Sequence, residues 1–256
     1  MAKVPDFRLD GRIALVTGAA RGIGRAIALA LADAGADVAV GVRVAGSADD
    51  LVETIQGLGR RSMSVPMDVA DLSQIGPAVD AVVERFGRLD ILVNNAGLGP
   101  ANPAEVVEEA DFDLTMAVNV KGLFFASQAA GRVMIRQGEG RIINLSSQAG
   151  FVALPTESIY CASKAAVAHL TRCLAVEWGQ HGITVNAVAP TFIRTDGTAA
   201  DLEDPAFEAD VRERIAGLHR IGEPVDVAGG VVFLASPAAS LVTGTTLMID
   251  GGWTAR

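Results

Sequence analysis

A chain of 256 residues that is half hydrophobic, with 28 glycines and few aromatics, can bury one sizeable core and is too apolar to stay disordered. Its formal net charge of −9 disfavours polyanions, so neither nucleic acid nor an acidic protein is an expected partner. No apolar run of about 18 residues is free of charges or breaks, and the polar opening MAKVPDFRLDGR lacks the apolar region of a secretory signal, so a cytoplasmic protein with no membrane association is predicted.

Taken in order, IALVTG (13–18) reads as a strand and RAIALALADAG (25–35) as a helix stopped by its glycine. VAVGV (38–42) is a second strand, followed by a helix near 48–58. SMSVPMDV gives a third strand, PAVDAVVERFG a helix and DILVNNAG a fourth strand. A helix over about 111–137, the strand RIINLSS and a long helix over about 159–180 come next. ITVNAVAP and, after a polar insertion, TLMIDGG close the series. Short branched-apolar strands alternating with helices predict an α/β fold of about seven strands, a doubly wound parallel sheet forming a single domain over 1–256. The irregular stretch 191–210, rich in small and acidic residues, is either a mobile lid over a site or a surface excursion.

The turn after the first strand, TGAARGIG, places glycines at 18, 22 and 24 with Arg21 and Ile23 between them. Following a strand and opening a helix, it suits a pyrophosphate cradle, where small residues admit the phosphates to the positive helix end. The spacing is G-x-x-x-G-x-G, not the usual dinucleotide G-x-G-x-x-G. Further on, Tyr160 and Lys164 lie four apart on a predicted helix, hence on one face. A cation within a few ångströms favours a phenolate, so Lys164 is expected to lower the Tyr160 pKa and fit the phenol for proton transfer. Ser147, thirteen residues upstream, ends a strand, where a parallel-sheet enzyme binds its ligands. A lone serine there is more often a turn or cap residue, and Ser146 is its immediate neighbour; the interval to Tyr160 selects Ser147.

The ordered set of TGAARGIG, Asp68-Val69, NNAG, Asn119 in NVKG, Ser147 in NLSS, Tyr160-x-x-x-Lys164, Asn186 in TVNAVAP and the closing glycines resembles the short-chain dehydrogenases/reductases, over essentially the whole chain. Thr191 departs from that pattern, since many members carry glycine after the proline of AP. The resemblance implies a Rossmann-type fold and four catalytic residues. Tyr160 is the acid/base, Ser147 holds the substrate oxygen, Lys164 also binds the cofactor ribose, and Asn119 holds a relay water. It implies cofactor contacts from Gly18, Arg21, Gly22, Ile23 and Gly24 in the cradle and from Asp68 and Val69 at the adenine. Asn95, Ala96 and Gly97 would lie by the adjoining ribose, and Pro190, Ile193 and Thr195 by the nicotinamide.

At the end of the second strand, where NAD enzymes of this architecture usually carry an acid, stand Val42 and Arg43. A guanidinium clamps a 2′-phosphate that a carboxylate would repel, so NADP(H) is favoured over NAD(H). Cys161, His169 and Cys173 recur along one helix, but the two thiols are separated by about 18 Å of it, so neither a shared metal ion nor a disulfide is expected. Glu157, three residues before Tyr160, is placed to read a polyhydroxylated substrate. The expected reaction interconverts a small secondary alcohol, a sugar or polyol, with its carbonyl. The alternatives are a 3-oxoacyl thioester reductase, disfavoured by the acidic chain, and a nucleotide-sensing regulator, disfavoured by an intact Tyr–Lys pair. Helices apolar beyond one narrow stripe imply self-association, and the resemblance implies a homotetramer.

Overall fold

The computed structural model describes residues 4–255; the first three residues and Arg256 of the expected domain lie outside the described residues. Seven strands alternate with helices: β1 (Ile13–Thr17), α1 (Gly22–Asp33), β2 (Asp37–Val42), α2 (Asp49–Gly57), β3 (Ser62–Pro66), α3 (Leu72–Phe86) and β4 (Ile91–Asn94). Then come α4 (Glu109–Met116), α5 (Leu123–Gln137), β5 (Gly140–Leu145), α6 (Ser158–Trp178) and β6 (Ile183–Pro190). The chain ends with α7 (Ala199–Leu202), α8 (Pro205–Arg214), α9 (Pro224–Ala235) and β7 (Thr246–Ile249).

All six strand pairings are parallel, in the order β3-β2-β1-β4-β5-β6-β7. Residues of β1, β2 and β4 alternate between two cores. Ala14, Val16, Val38 and Val40 pack with α1, α2 and α9, whereas Leu15, Ala39 and Leu92 pack with α3, α5 and α6. Burial on both faces is why these strands read as continuous apolar runs instead of alternating ones. The strand order reverses between β1 and β4, and a crevice opens there beyond the strand C-termini, where such sheets take their ligands.

The structure shortens the third strand to Ser62–Pro66, starts the helix predicted from Pro77 at Leu72, and departs further from the predicted elements in three places. The helix expected over 111–137 begins at Glu109 and loosens into a π-helical turn, Ala117–Gly122, before α5. A Cβ at Gly122 would collide with the Val69 carbonyl, so this glycine admits the turn against the loop after β3. The stretch 191–210 is not irregular throughout. It contains α7 and most of α8, which Asp204 caps by accepting the Ala206 N–H at 2.9 Å with Pro205 in the first turn. Finally, α9 lies inside the expected polar insertion. Its sequence PVDVAGGVVFLA is apolar on nearly every side, and it packs on α1, so burial and not amphipathic periodicity defines it.

Candidate active site

The loop from β1 into α1 is held from beneath by two side chains. Thr17 Oγ1 accepts the backbone N–H groups of Asn95 and Ala96 at 3.0 and 3.1 Å. Asn95 Nδ2 donates to the carbonyls of Thr17 and Gly18 at 2.9 and 3.0 Å. Asn95, expected at a ribose, therefore has its amide hydrogens committed to fixing the cradle. Gly18 and Gly22 have φ values of +64° and +57°, which disfavour side chains. A Cβ on Gly24 would collide with the Asn95 amide, and one on Gly18 would lie 3.0 Å from Ala96 Cα. At the α1 N-terminus, Arg21 makes no side-chain cap and the first turn carries no acid, so the positive helix end is left for a ligand. An uncapped helix end above a floor that only glycine fits is suited to a dinucleotide pyrophosphate.

Around the cradle, Arg25 pairs with Asp50 at 2.8 Å, while Arg21 and Arg43 are exposed and have no ion-pair partner among the described residues. Val42 is buried in the core, so the polar determinant after β2 is Arg43. Val69 is buried and Asp68 half-buried, with Asp68 Oδ1 accepting the Ala70 N–H at 3.0 Å. On the opposite wall, Pro190 ends β6 beside Ile249, Ile193 is buried, and Thr195 Cγ2 lies 3.5 Å from where a Gly22 Cβ would stand. The segment leaving β6 thus faces the cradle.

Tyr160 and Lys164 occupy the first turns of α6. Lys164 is 5% exposed, its Nζ donates to Leu145 O at 2.8 Å, and that nitrogen lies 5.6 Å from the centroid of the Tyr160 ring. Burial pushes Lys164 down to about 8. Burial pushes Tyr160 up to about 12, against a lowering by the adjacent Ser147 hydroxyl. In the protein alone desolvation outweighs the lowering by Ser147, so the phenol stands above its ordinary value where a low one is expected from Lys164. At neutral pH the resting residue is a phenol.

Ser147 and Ser146 separate clearly. Ser146 Oγ donates to Lys164 O at 2.9 Å and so pins α6 to the end of β5. Ser147 Oγ donates to Gln148 Oε1 at 2.7 Å, accepts the Ala149 N–H at 3.1 Å and lies beside the Tyr160 phenol. Asn119 stands on the π-helical turn. Its Oδ1 accepts the Leu98 N–H at 2.9 Å, and its Nδ2 donates to Leu98 O at 2.7 Å and Ser163 Oγ at 2.9 Å. Ser163 donates onward to Tyr160 O at 2.8 Å, so Asn119 braces α6 as well as the loop after β4. A Cβ at Gly97 would lie 3.2 Å from Lys164 Nζ and 3.4 Å from Asn119 Oδ1, which puts these three residues together.

Sequence reasoning missed three contributors. Gln148, 3% exposed, binds the Ser147 hydroxyl; its only signal is adjacency to Ser147. Gly99 faces the tyrosine, with a Cβ there 2.5 Å from Tyr160 Cδ2. Asp201, on α7, bears on Glu157, whose pKa is raised by burial first and by Asp201 second. Glu157 in turn acts on the Tyr160 phenol. Among the described residues no group of three or more histidine, cysteine, aspartate or glutamate side chains could hold a metal ion.

Residues 18–254 match the family model described as Enoyl-(Acyl carrier protein) reductase. The chain is 42% identical over 251 residues to the D-threitol dehydrogenase of Mycolicibacterium smegmatis, covering 98% of this chain and 96% of that one. It is also 42% identical to the 2-dehydro-3-deoxy-D-gluconate 5-dehydrogenase of Escherichia coli, covering 98% of each. Among solved structures, a gluconate 5-dehydrogenase from Burkholderia cenocepacia in complex with NADP and tartrate superposes with a TM-score of 0.95 at 38% identity, covering 98% of both chains. With the fold, the cradle and the Tyr–Lys face in agreement, the chain belongs to the short-chain dehydrogenase/reductase family of NAD(P)-dependent oxidoreductases, which interconvert alcohols and carbonyls.

Proposed function

We propose that this chain is a single catalytic domain that oxidises a small sugar or polyol at a secondary hydroxyl and reduces the matching ketone, using NADP(H) in preference to NAD(H). The observation that carries this reading is the Ser147–Tyr160–Lys164 group beside the glycine cradle, in relatives named for sugar and polyol substrates. Gly18, Arg21, Gly22, Ile23 and Gly24 would hold the pyrophosphate, with Arg43 at a 2′-phosphate and Asp68 and Val69 at the adenine. Asn95, Ala96 and Gly97 would line the ribose side, and Pro190, Ile193 and Thr195 the nicotinamide side. The bound nicotinamide would supply or accept the hydride at the reacting carbon.

The protein's own part is to hold the substrate oxygen and move its proton. The Ser147 hydroxyl orients that oxygen, and Gln148 holds the hydroxyl in turn. Tyr160, a phenol at neutral pH, is ready to protonate a ketone oxygen as it becomes an alkoxide. In the oxidative direction the phenol must first lose its proton, and a charged Lys164 beneath the ring favours that loss. Asn119 keeps Leu98 and α6 in register around the pair.

Exposed Phe112 and Leu114 on α4, Ile135 on α5 and Val176 on α6 support pairing of these helices in a homotetramer, which light scattering at micromolar concentration should report. The free thiols of Cys161 and Cys173 suit a reducing cytoplasm, and no helix among the described residues is long and apolar enough to cross a membrane. Assay of a panel of polyols, sugars and 3-oxoacyl thioesters with each cofactor tests the reading directly. Tyr160→Phe should lose nearly all turnover while binding cofactor within a few-fold of wild type. A variant that keeps most of its activity would refute the proton-transfer role.

A further inference from the structure

The residues around the substrate side of Tyr160 carry an unbalanced charge. Glu157 immediately precedes α6 and is half-buried, and its N–H donates to Leu154 O at 3.3 Å. The short helix α7 is seated on this same turn. Its Leu202 is buried in a small core against which Val152 and Leu154 pack, and the neighbouring, exposed Asp201 is near enough to act on Glu157. Across residues 191–226 there are nine carboxylates against four arginines. Each arginine is already paired. Arg194 and Arg212 bind Glu208 at 3.1 and 2.8 Å, Arg214 binds Asp210 at 2.7 Å, and Arg220 binds Asp226 at 2.7 Å. Neither Glu157 nor Asp201 has an ion-pair partner among the described residues. The cation at the tyrosine, Lys164, is buried and donates to Leu145 O.

A second observation concerns Gln148. Its side chain is almost wholly buried and its Oε1 is used by Ser147, yet its Nε2 donates to no partner among the described residues. A neutral amide donor at Ser147 and carboxylate acceptors acting near Tyr160 suit the hydroxyls of a polyol. They offer no cation to a carboxylate, and the two acids repel one.

We propose that Glu157 and Asp201, with the Gln148 amide at Ser147, make this site select uncharged polyols and their ketones over anionic sugar acids. This rests on the alcohol–carbonyl chemistry proposed above and narrows its substrate. An aldonate bound with a carbinol at Tyr160 carries its own carboxylate into the field of two others. Unit charges about 7 Å apart at a protein surface repel strongly enough to cost roughly tenfold or more in binding. A polyol meets no such cost and gains acceptors for its hydroxyls.

The test compares kcat/KM for D-threitol and D-gluconate, at low and high salt, in wild type and in the Glu157→Gln/Asp201→Asn double variant. Wild type should prefer threitol by tenfold or more, and added salt should narrow that preference by screening the repulsion. The double variant should shift the ratio toward gluconate by about tenfold and lose most of its salt dependence, with each single variant between. The ratio is internal to each enzyme, so a general loss of stability does not mimic the effect. If wild type turns over gluconate as well as threitol, or charge removal leaves the ratio unchanged, the inference is overturned while the proposed function stands. If wild type oxidises neither compound nor any other polyol or sugar acid, the proposed function fails and the inference with it.

Discussion

Lys164→Met should make the cofactor-free protein more stable at pH 7 while abolishing turnover. Lys164 is held at about 8 where an ordinary lysine stands at 10.5, and it is almost fully buried. Keeping the ammonium charged in the folded state below pH 8 therefore costs about 3 kcal/mol relative to the unfolded chain. Methionine has nearly the same length and no charge, so the substitution removes that cost. It also deletes the hydrogen bond to Leu145 O, worth about 1–2 kcal/mol. A net gain of about 1–2 kcal/mol remains.

The pH dependence has a definite sign. Between about 8 and 10.5 the unfolded lysine is protonated and the folded one is not, so wild-type stability rises with pH by up to about 1.4 kcal/mol per pH unit. The advantage of the variant should shrink above pH 8 and reverse before pH 10. Tyr160, raised from 10.0 to about 12, contributes stability that is whole below pH 10 and lost between 10 and 12, so the series stops at pH 10. Urea unfolding of both proteins at equal concentration, at intervals from pH 7 to 10, measures the difference. A variant less stable than wild type at pH 7, or a difference that does not fall with pH, would refute the burial argument.

Two further substitutions test the site geometry. Gly99→Ala puts a Cβ 2.5 Å from the Tyr160 ring and must displace it, so kcat should fall roughly tenfold or more with little change in cofactor binding; full activity would show that the ring yields freely. Arg43→Ala removes the guanidinium after β2, and the Kd for NADPH, read by fluorescence, should rise about tenfold or more with NADH unchanged. Equal weakening of both cofactors would show that Arg43 does not read the 2′-phosphate.

The strands and the site landmarks were legible because their causes are local. β1, β2, β4, β5 and β6 are branched-apolar runs in a doubly buried sheet, and TGAARGIG is a turn whose glycines are demanded by its own backbone and by Asn95 beneath it. Tyr160 and Lys164 share a face by helical period alone. Three matters depended on the folded chain. The apolar α9 carries no periodic stripe, since only the sheet and α1 bury it on several sides. The Tyr160 phenol was expected low from its lysine and stands high, because desolvation is set by everything packed around the ring, including Gly99, and no spacing in the sequence reports it. Asp201 acts on Glu157 across more than forty residues because Leu202 and Leu154 join one small core, so the sequence contained both carboxylates and the tertiary structure brought them within reach of each other.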